Sequence, residues 1–156
     1  MNSMKPFRTS ISLVILNDDQ QVLIVKRPDD PDDMLRNLWG LPAVTVSPGE
    51  TLTEAAQRVG LTKLGVKVKV GRKIGESTKD RGKYTLRLID YDARIVDGQP
   101  VVPQVGGAVT QYVEVRFVDD PTILIPAAQH GSQCTEIYLD YLGIDWQMVP
   151  SGVSEP

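Results

Sequence analysis

The side chains able to do chemistry crowd into one stretch, WGLPAVTVSPGETLTEAAQRVGLTKLGVKV, from residue 39 to residue 68. It holds the acids Glu50 and Glu54 and, further on, the cations Arg58 and Lys63. Thr51 with Glu54 three residues on has capping-box spacing, and Gly65 sits where a left-handed terminator belongs, so the spacing predicts a helix over 52–64. Glu54 is then the cap partner of Thr51. Glu50 is an acid favoured by the positive end of the helix. Arg58 can pair with Glu54 at i, i+4 or with Glu50. Positions 59, 62 and 63 stand at i, i+3, i+4 and are expected on one helix face. They carry Val59, Thr62 and Lys63: a methyl pair, a hydroxyl and an ammonium. A lysine at such a helix position can snorkel to solvent. Arg27 and Arg87, on predicted strands, are cations able to meet a phosphate. Trp39 offers a ring for stacking a base, or for packing among Leu38, Leu41 and Pro42.

The same stretch resembles the Nudix box, the loop–helix–loop signature of hydrolases that cleave nucleoside diphosphates linked to another moiety. Glu50, Arg58 and Gly65 fall at the box's intervals, and Leu41-Pro42, Pro48-Gly49-Glu50-Thr51-Leu52 and Ala55-Ala56 resemble the family too. The mismatches are as specific. The box's first glycine is Val44, and its three metal-binding glutamates fall on Val59, Thr62 and Lys63. The resemblance implies magnesium-assisted attack of water on a pyrophosphate, because substrate and transition state are dense in negative charge. Magnesium is a hard cation that takes oxygen ligands, so no magnesium site is expected on Val59, Thr62 and Lys63. Glu50, Glu54 and Arg58 are the residual catalytic candidates that the resemblance supplies. Lys63, Arg27, Arg87 and Trp39 are the ligand-binding candidates.

The 156 residues are 41% hydrophobic and 24% charged, with a net charge of −3. That is ordinary globular composition, and the balance argues against a general nucleic-acid surface. The expectation is one domain over 1–148 with a frayed tail at 149–156. A single cysteine, Cys134, excludes an intrachain disulfide framework and suits a reducing cytoplasm. No apolar run reaches about 18 residues, so no membrane span is expected, and the N-terminus lacks the long apolar core of a secretion signal.

These functional residues need a scaffold, and the periodicities outline one. Residues 8–16 and 22–27 read as an opening apolar hairpin around the turn Asn17-Asp18-Asp19-Gln20. The segment RPDDPDDMLRN at 27–37 is an acidic loop, either solvated or a flap beside a ligand site. Residues 66–70, 84–96 and 111–118 alternate as strands, whereas 71–83 is expected as a long hairpin loop. A second helix is predicted over 131–142, with Cys134, Ile137, Tyr138, Tyr141 and Leu142 at helical spacing. The pattern suits an α+β fold, which the resemblance sharpens to a Nudix-like α/β/α sandwich: a mixed sheet flanked by the box helix and a C-terminal helix.

Three functions remain open on the sequence. The chain binds a nucleotide-like diphosphate with hydrolysis weak or lost. Alternatively it is an active magnesium-dependent hydrolase with ligands elsewhere, for instance Glu50, Glu54, Glu114 or the Asp29–Asp33 loop. The third reading is a non-enzymatic interaction or regulatory module. No cofactor is assigned unless the second holds, and a homodimer is left open.

Overall fold

A computed structural model describes residues 5–104 and 111–147. The expected tail at 149–156 and part of the irregular 97–110 stretch lie outside the described residues. The chain forms β1 (Phe7–Ile15), β2 (Val22–Lys26), β3 (Trp39–Gly40), β4 (Ala43–Thr45), α1 (Leu52–Arg58), β5 (Lys67–Asp80), β6 (Thr85–Asp97), β7 (Glu114–Val118), α2 (Ile125–Gln129) and α3 (Gln133–Tyr141). A π-helical turn over Val59–Leu64 continues α1, and a 3₁₀ turn over Pro121–Leu124 leads into α2.

The mixed sheet has order β4-β1-β6-β5, with β1 and β6 parallel and the other pairs antiparallel. Beside it stands a smaller antiparallel sheet, β3-β2-β7. The opening strands are therefore not a hairpin ladder as expected: their backbones join at the bridge Leu16–Val22 and the turn bond from Asn17 N to Gln21 O. The reason is burial on both faces. Leu23 and Val25 enter the core shared with α1, and Val22 and Ile24 enter the core shared with α3. A strand covered on two sides belongs between layers rather than at an exposed hairpin.

α1 packs Ala55 and Ala56 against Ile11, Leu13 and Ile89 on one side of the large sheet. On the other side Tyr138 and Leu139 of α3 join Val14, Leu41, Leu124 and Ala128. The expected layers, a mixed sheet flanked by the box helix and a C-terminal helix, are present. Two positions expected in the α3 stripe, Tyr141 and Leu142, are exposed because the helix ends there.

The polar stretch 71–83 is strand, not loop, almost throughout. β5 runs to Asp80 and pairs with β6, with register breaks between Val70 and Lys73 and between Lys73 and Gly75. Its glycines mark close approaches: a Cβ on Gly71 would stand 2.0 Å from Asp92 Oδ1, and one on Gly75 would stand 2.9 Å from Ile137. Irregular pairing of this kind is how glycine enters a strand interior.

Candidate functional site

The box helix forms as its sequence dictates. Thr51 Oγ1 accepts from Glu54 N at 3.0 Å, and Glu54 Oε1 accepts from Thr51 N at 2.8 Å. Gly65 closes the π turn at φ 71°, a left-handed conformation that suits glycine. Gly60 is required by packing, since a Cβ there would lie 2.9 Å from Val66 O and 3.0 Å from Val68 Cγ1.

The π turn redistributes the three positions expected on one face. A π turn bonds i to i+5 and so rotates residues out of the 3.6-residue register. Val59 is fully buried in the core with Leu64 and Val68. Thr62 and Lys63 line a cavity of about 870 Å³ instead. Thr62 donates its hydroxyl to Arg58 O at 2.8 Å. Lys63 is only 8% exposed, with Nζ 5.3 Å from the centre of the Tyr112 ring. Burial, helped by Arg27 and Arg58, holds its pKa below the ordinary lysine value. The snorkelling alternative does not describe this side chain.

Arg58 resolves its two expected partners in favour of Glu50. Its Nε donates to Glu50 Oε2 at 2.8 Å, and its Nη2 donates to Glu50 Oε1 at 2.9 Å and to Thr45 O at 2.7 Å. Ser47 N donates to Glu50 Oε1 at 2.9 Å. The Arg58 guanidinium, with the Ser47 amide, lowers the Glu50 pKa to about 2. Glu50 is thus an ionised anchor between helix and loop, and Glu54 is held in the cap.

Around the cavity stand Arg27, Leu35, Leu38, Trp39, Arg58, Lys63, Tyr84 and Tyr112, with Gln133 and Cys134 from the start of α3. Of the acidic loop at 27–37, Arg27 and Leu35 line the cavity. Its Asp33 pairs with Arg27 at 3.0 Å. Trp39 lies among cavity and core at once, with Arg116 over its ring at 4.7 Å. Arg87 belongs elsewhere: it pairs with Glu76, Nε to Oε2 and Nη2 to Oε1 both at 3.0 Å, and does not line the cavity. Its strand alternation directs it to the cross-strand acid, which corrects the expectation of a phosphate helper. Sequence reasoning missed Arg81, Tyr112 and Gln133 as cavity residues. Tyr112 has the largest part among them, accepting from Ala43 N at 3.0 Å while burial raises its hydroxyl pKa to about 12.

Beside Cys134 lies Asp90, fully buried on β6. Neither of its oxygens has a hydrogen-bond partner among the described residues. Burial pushes its pKa well above the ordinary carboxylate range, and the Ser12 hydroxyl opposes this without closing to a hydrogen bond.

Comparison with known proteins agrees with the geometry. The NUDIX domain profile matches residues 6–118. A relative from Bacillus subtilis (strain 168) described as "Putative 8-oxo-dGTP diphosphatase" is 43% identical over 63 residues, covering 40% of this chain and 38% of that protein. Among solved structures, a NUDIX hydrolase from Nitrosomonas europaea superposes with TM-score 0.68 at 19% identity, covering 97% of both chains. The E. coli ORF135 protein superposes with TM-score 0.65 at 18% identity, covering 90% of this chain and 93% of its own. An α/β/α sandwich with a box-like helix beside the cavity defines the class, and the chain belongs to the NUDIX domain family. The positions that the resemblance sets against the box's three glutamates carry Val59, Thr62 and Lys63.

Magnesium, which the family implies, does not fit the residues present. Val59 faces the core, the Thr62 hydroxyl is engaged with Arg58 O, and Lys63 brings a cation's side chain to the wall. Of the other acids, Glu50 is held by Arg58, Asp33 by Arg27, and Glu114 by Lys26 at 3.5 Å and Arg116 at 3.6 Å. Among the described residues no three His, Cys, Asp or Glu side chains gather as a metal cluster. No helix of the described residues is long and apolar enough to cross a membrane.

Proposed function

We propose that this chain binds a nucleoside-diphosphate-linked or similar pyrophosphate compound in the cavity, with pyrophosphate hydrolysis weak or lost. The observation that carries this reading is Lys63, a buried lysine on the cavity wall at a position where the box has a metal-binding glutamate. A phosphate needs its charge neutralised, and here side chains take the role that a dication has in the family. Lys63 supplies a compact ammonium, and Arg58 and Arg27 add to the positive potential that already lowers the Lys63 pKa. A bound phosphate reverses that penalty, since a nearby anion favours the protonated amine. The cavity volume lies in the range of small-molecule sites, and its wall is more apolar than the phosphate end requires, which leaves room for a nucleoside.

The competing reading is a magnesium-dependent hydrolase, favoured by the name of the Bacillus subtilis relative. Calorimetric titration of ADP-ribose and nucleoside diphosphates with EDTA and with magnesium, alongside release of phosphate or nucleoside monophosphate, separates the two. The proposal expects binding with little dependence on magnesium and weak or absent turnover. Efficient magnesium-dependent turnover overturns it.

A further inference from the structure

We infer that Tyr84, with Leu86 and Leu88 beside it, is the platform on which the ligand's heterocyclic base stacks. The inference rests on the diphosphate-binding reading above and names the part of the ligand beyond the phosphates. Tyr84 immediately precedes β6, and Leu86 and Leu88 follow it at every second residue. Alternation along a strand puts the three on one face, and all three line the cavity. The core does not use them. Tyr84 and Leu86 are half-buried and Leu88 is buried, yet among the described residues neither hydrophobic cluster includes any of the three. Apolar side chains turned to a cavity rather than to the core make a groove suited to a ligand.

Of the aromatic rings on the cavity wall, Tyr84 is the one suited to stacking. Trp39 packs against the core that holds Tyr138 and Leu139, and Arg116 lies over its ring. Tyr112 is 2% exposed, with its hydroxyl bound to Ala43 N. Tyr84 keeps accessible surface, and the Arg8 guanidinium lies over its ring at 4.1 Å. Arg8 does not line the cavity, so the cavity meets the ring where Arg8 leaves it uncovered. The strand register sets the distance from the phosphates. Thr45, whose carbonyl oxygen accepts from Arg58, pairs with Ser10 of β1, and Ser10 pairs with Leu88. Tyr84 stands four residues before Leu88, a separation of roughly 13 Å at about 3.3 Å per residue. A diphosphate held at Arg58 and Lys63 thus lays its sugar towards Leu88 and Leu86 and its base on Tyr84. Every base has a π-face, so the strip selects a nucleoside rather than one particular base.

The test compares adenosine 5′-diphosphate with ribose 5-diphosphate, which keeps the sugar and both phosphates and lacks the base. Both are titrated calorimetrically in EDTA into wild type, Tyr84→Phe and Tyr84→Ala. The wild type is expected to prefer the adenosine compound by about tenfold or more. Tyr84→Phe keeps that preference, and Tyr84→Ala reduces it to about twofold or less. A wild-type preference below about twofold overturns the inference, as does one that survives Tyr84→Ala or is lost equally in Tyr84→Phe. Should Tyr84→Ala fail to fold, Overhauser contacts in the wild type decide: adenine protons against the Tyr84 ring support the platform, and contacts with the Trp39 ring instead overturn it. Absence of binding by both compounds defeats the diphosphate reading itself, whereas equal binding of both defeats only the role of Tyr84.

Discussion

Substituting Glu50 by glutamine tests the electrostatic anchor of the box. Arg58 holds both carboxylate oxygens, at 2.8 and 2.9 Å, and the Ser47 amide adds a third contact. The fall in Glu50 pKa from an ordinary 4.5 to about 2 corresponds to roughly 3 kcal/mol at about 1.4 kcal/mol per pH unit. The Glu50 side chain is 15% exposed and that of Arg58 is 33% exposed, so solvent screening reduces this to about 1–2 kcal/mol. For a domain of this size that is a loss of about 2–8 °C in Tm for Glu50→Gln at pH 7. The folded-state pKa is depressed, so the stabilisation is fully present above about pH 4.5 and is lost as pH falls towards 2. Thermal or urea unfolding of wild type and variant at pH 7, 5, 4 and 3 should show the gap closing below pH 4.5. A gap of equal size at pH 3 and pH 7, or none at pH 7, refutes the reasoning.

Three other perturbations have worked signs. Asp90 has a raised folded pKa, so its contribution is most favourable below the unfolded value near 4 and declines as pH rises; Asp90→Asn should gain stability on wild type between pH 4 and 7, and parallel pH–stability curves would contradict this. Gly60→Ala gains about 1 kcal/mol of helix propensity but meets Val66 O at 2.9 Å and Val68 Cγ1 at 3.0 Å; overpacking of about 1–3 kcal/mol should leave a net loss of roughly 1 kcal/mol in urea unfolding, and unchanged or greater stability would show that the turn relaxes. Val59→Glu places a carboxyl in the core and should cost about 3 kcal/mol or more, measured the same way; a well-folded, undestabilised variant would mean this position can turn out to the cavity.

How much was legible depends on how local each signal is. Thr51, Glu54 and Gly65 act within a few residues of one another, and the helix they bound forms where their spacing puts it. The π turn inside it has no such local mark. It takes Val59 into the core and leaves Lys63 at the cavity, dividing positions that an ideal helix keeps together. Beyond Val70, β5 reads as loop because lysines and glycines outnumber its apolar residues there, yet its pairing with β6 is a long-range property. Arg87 illustrates the same limit at the site: the cation is evident from sequence, but the Glu76 that claims it lies on a neighbouring strand. Gln133 and Tyr112 become cavity residues only through partners distant in sequence, Ser77 and Leu86 for one and Ala43 for the other.

The most direct measurement is the affinity of ADP-ribose or a nucleoside diphosphate for wild type, Lys63→Ala and Lys63→Glu, titrated calorimetrically in EDTA. A charge-assisted contact contributes roughly 1.5–3 kcal/mol, so Lys63→Ala should weaken binding about ten- to a hundredfold. Lys63→Glu should weaken it further, because a like charge then faces the phosphates. Equal affinities in all three proteins would contradict the account, since the cavity would then bind its ligand without the side chain that stands in the metal's place.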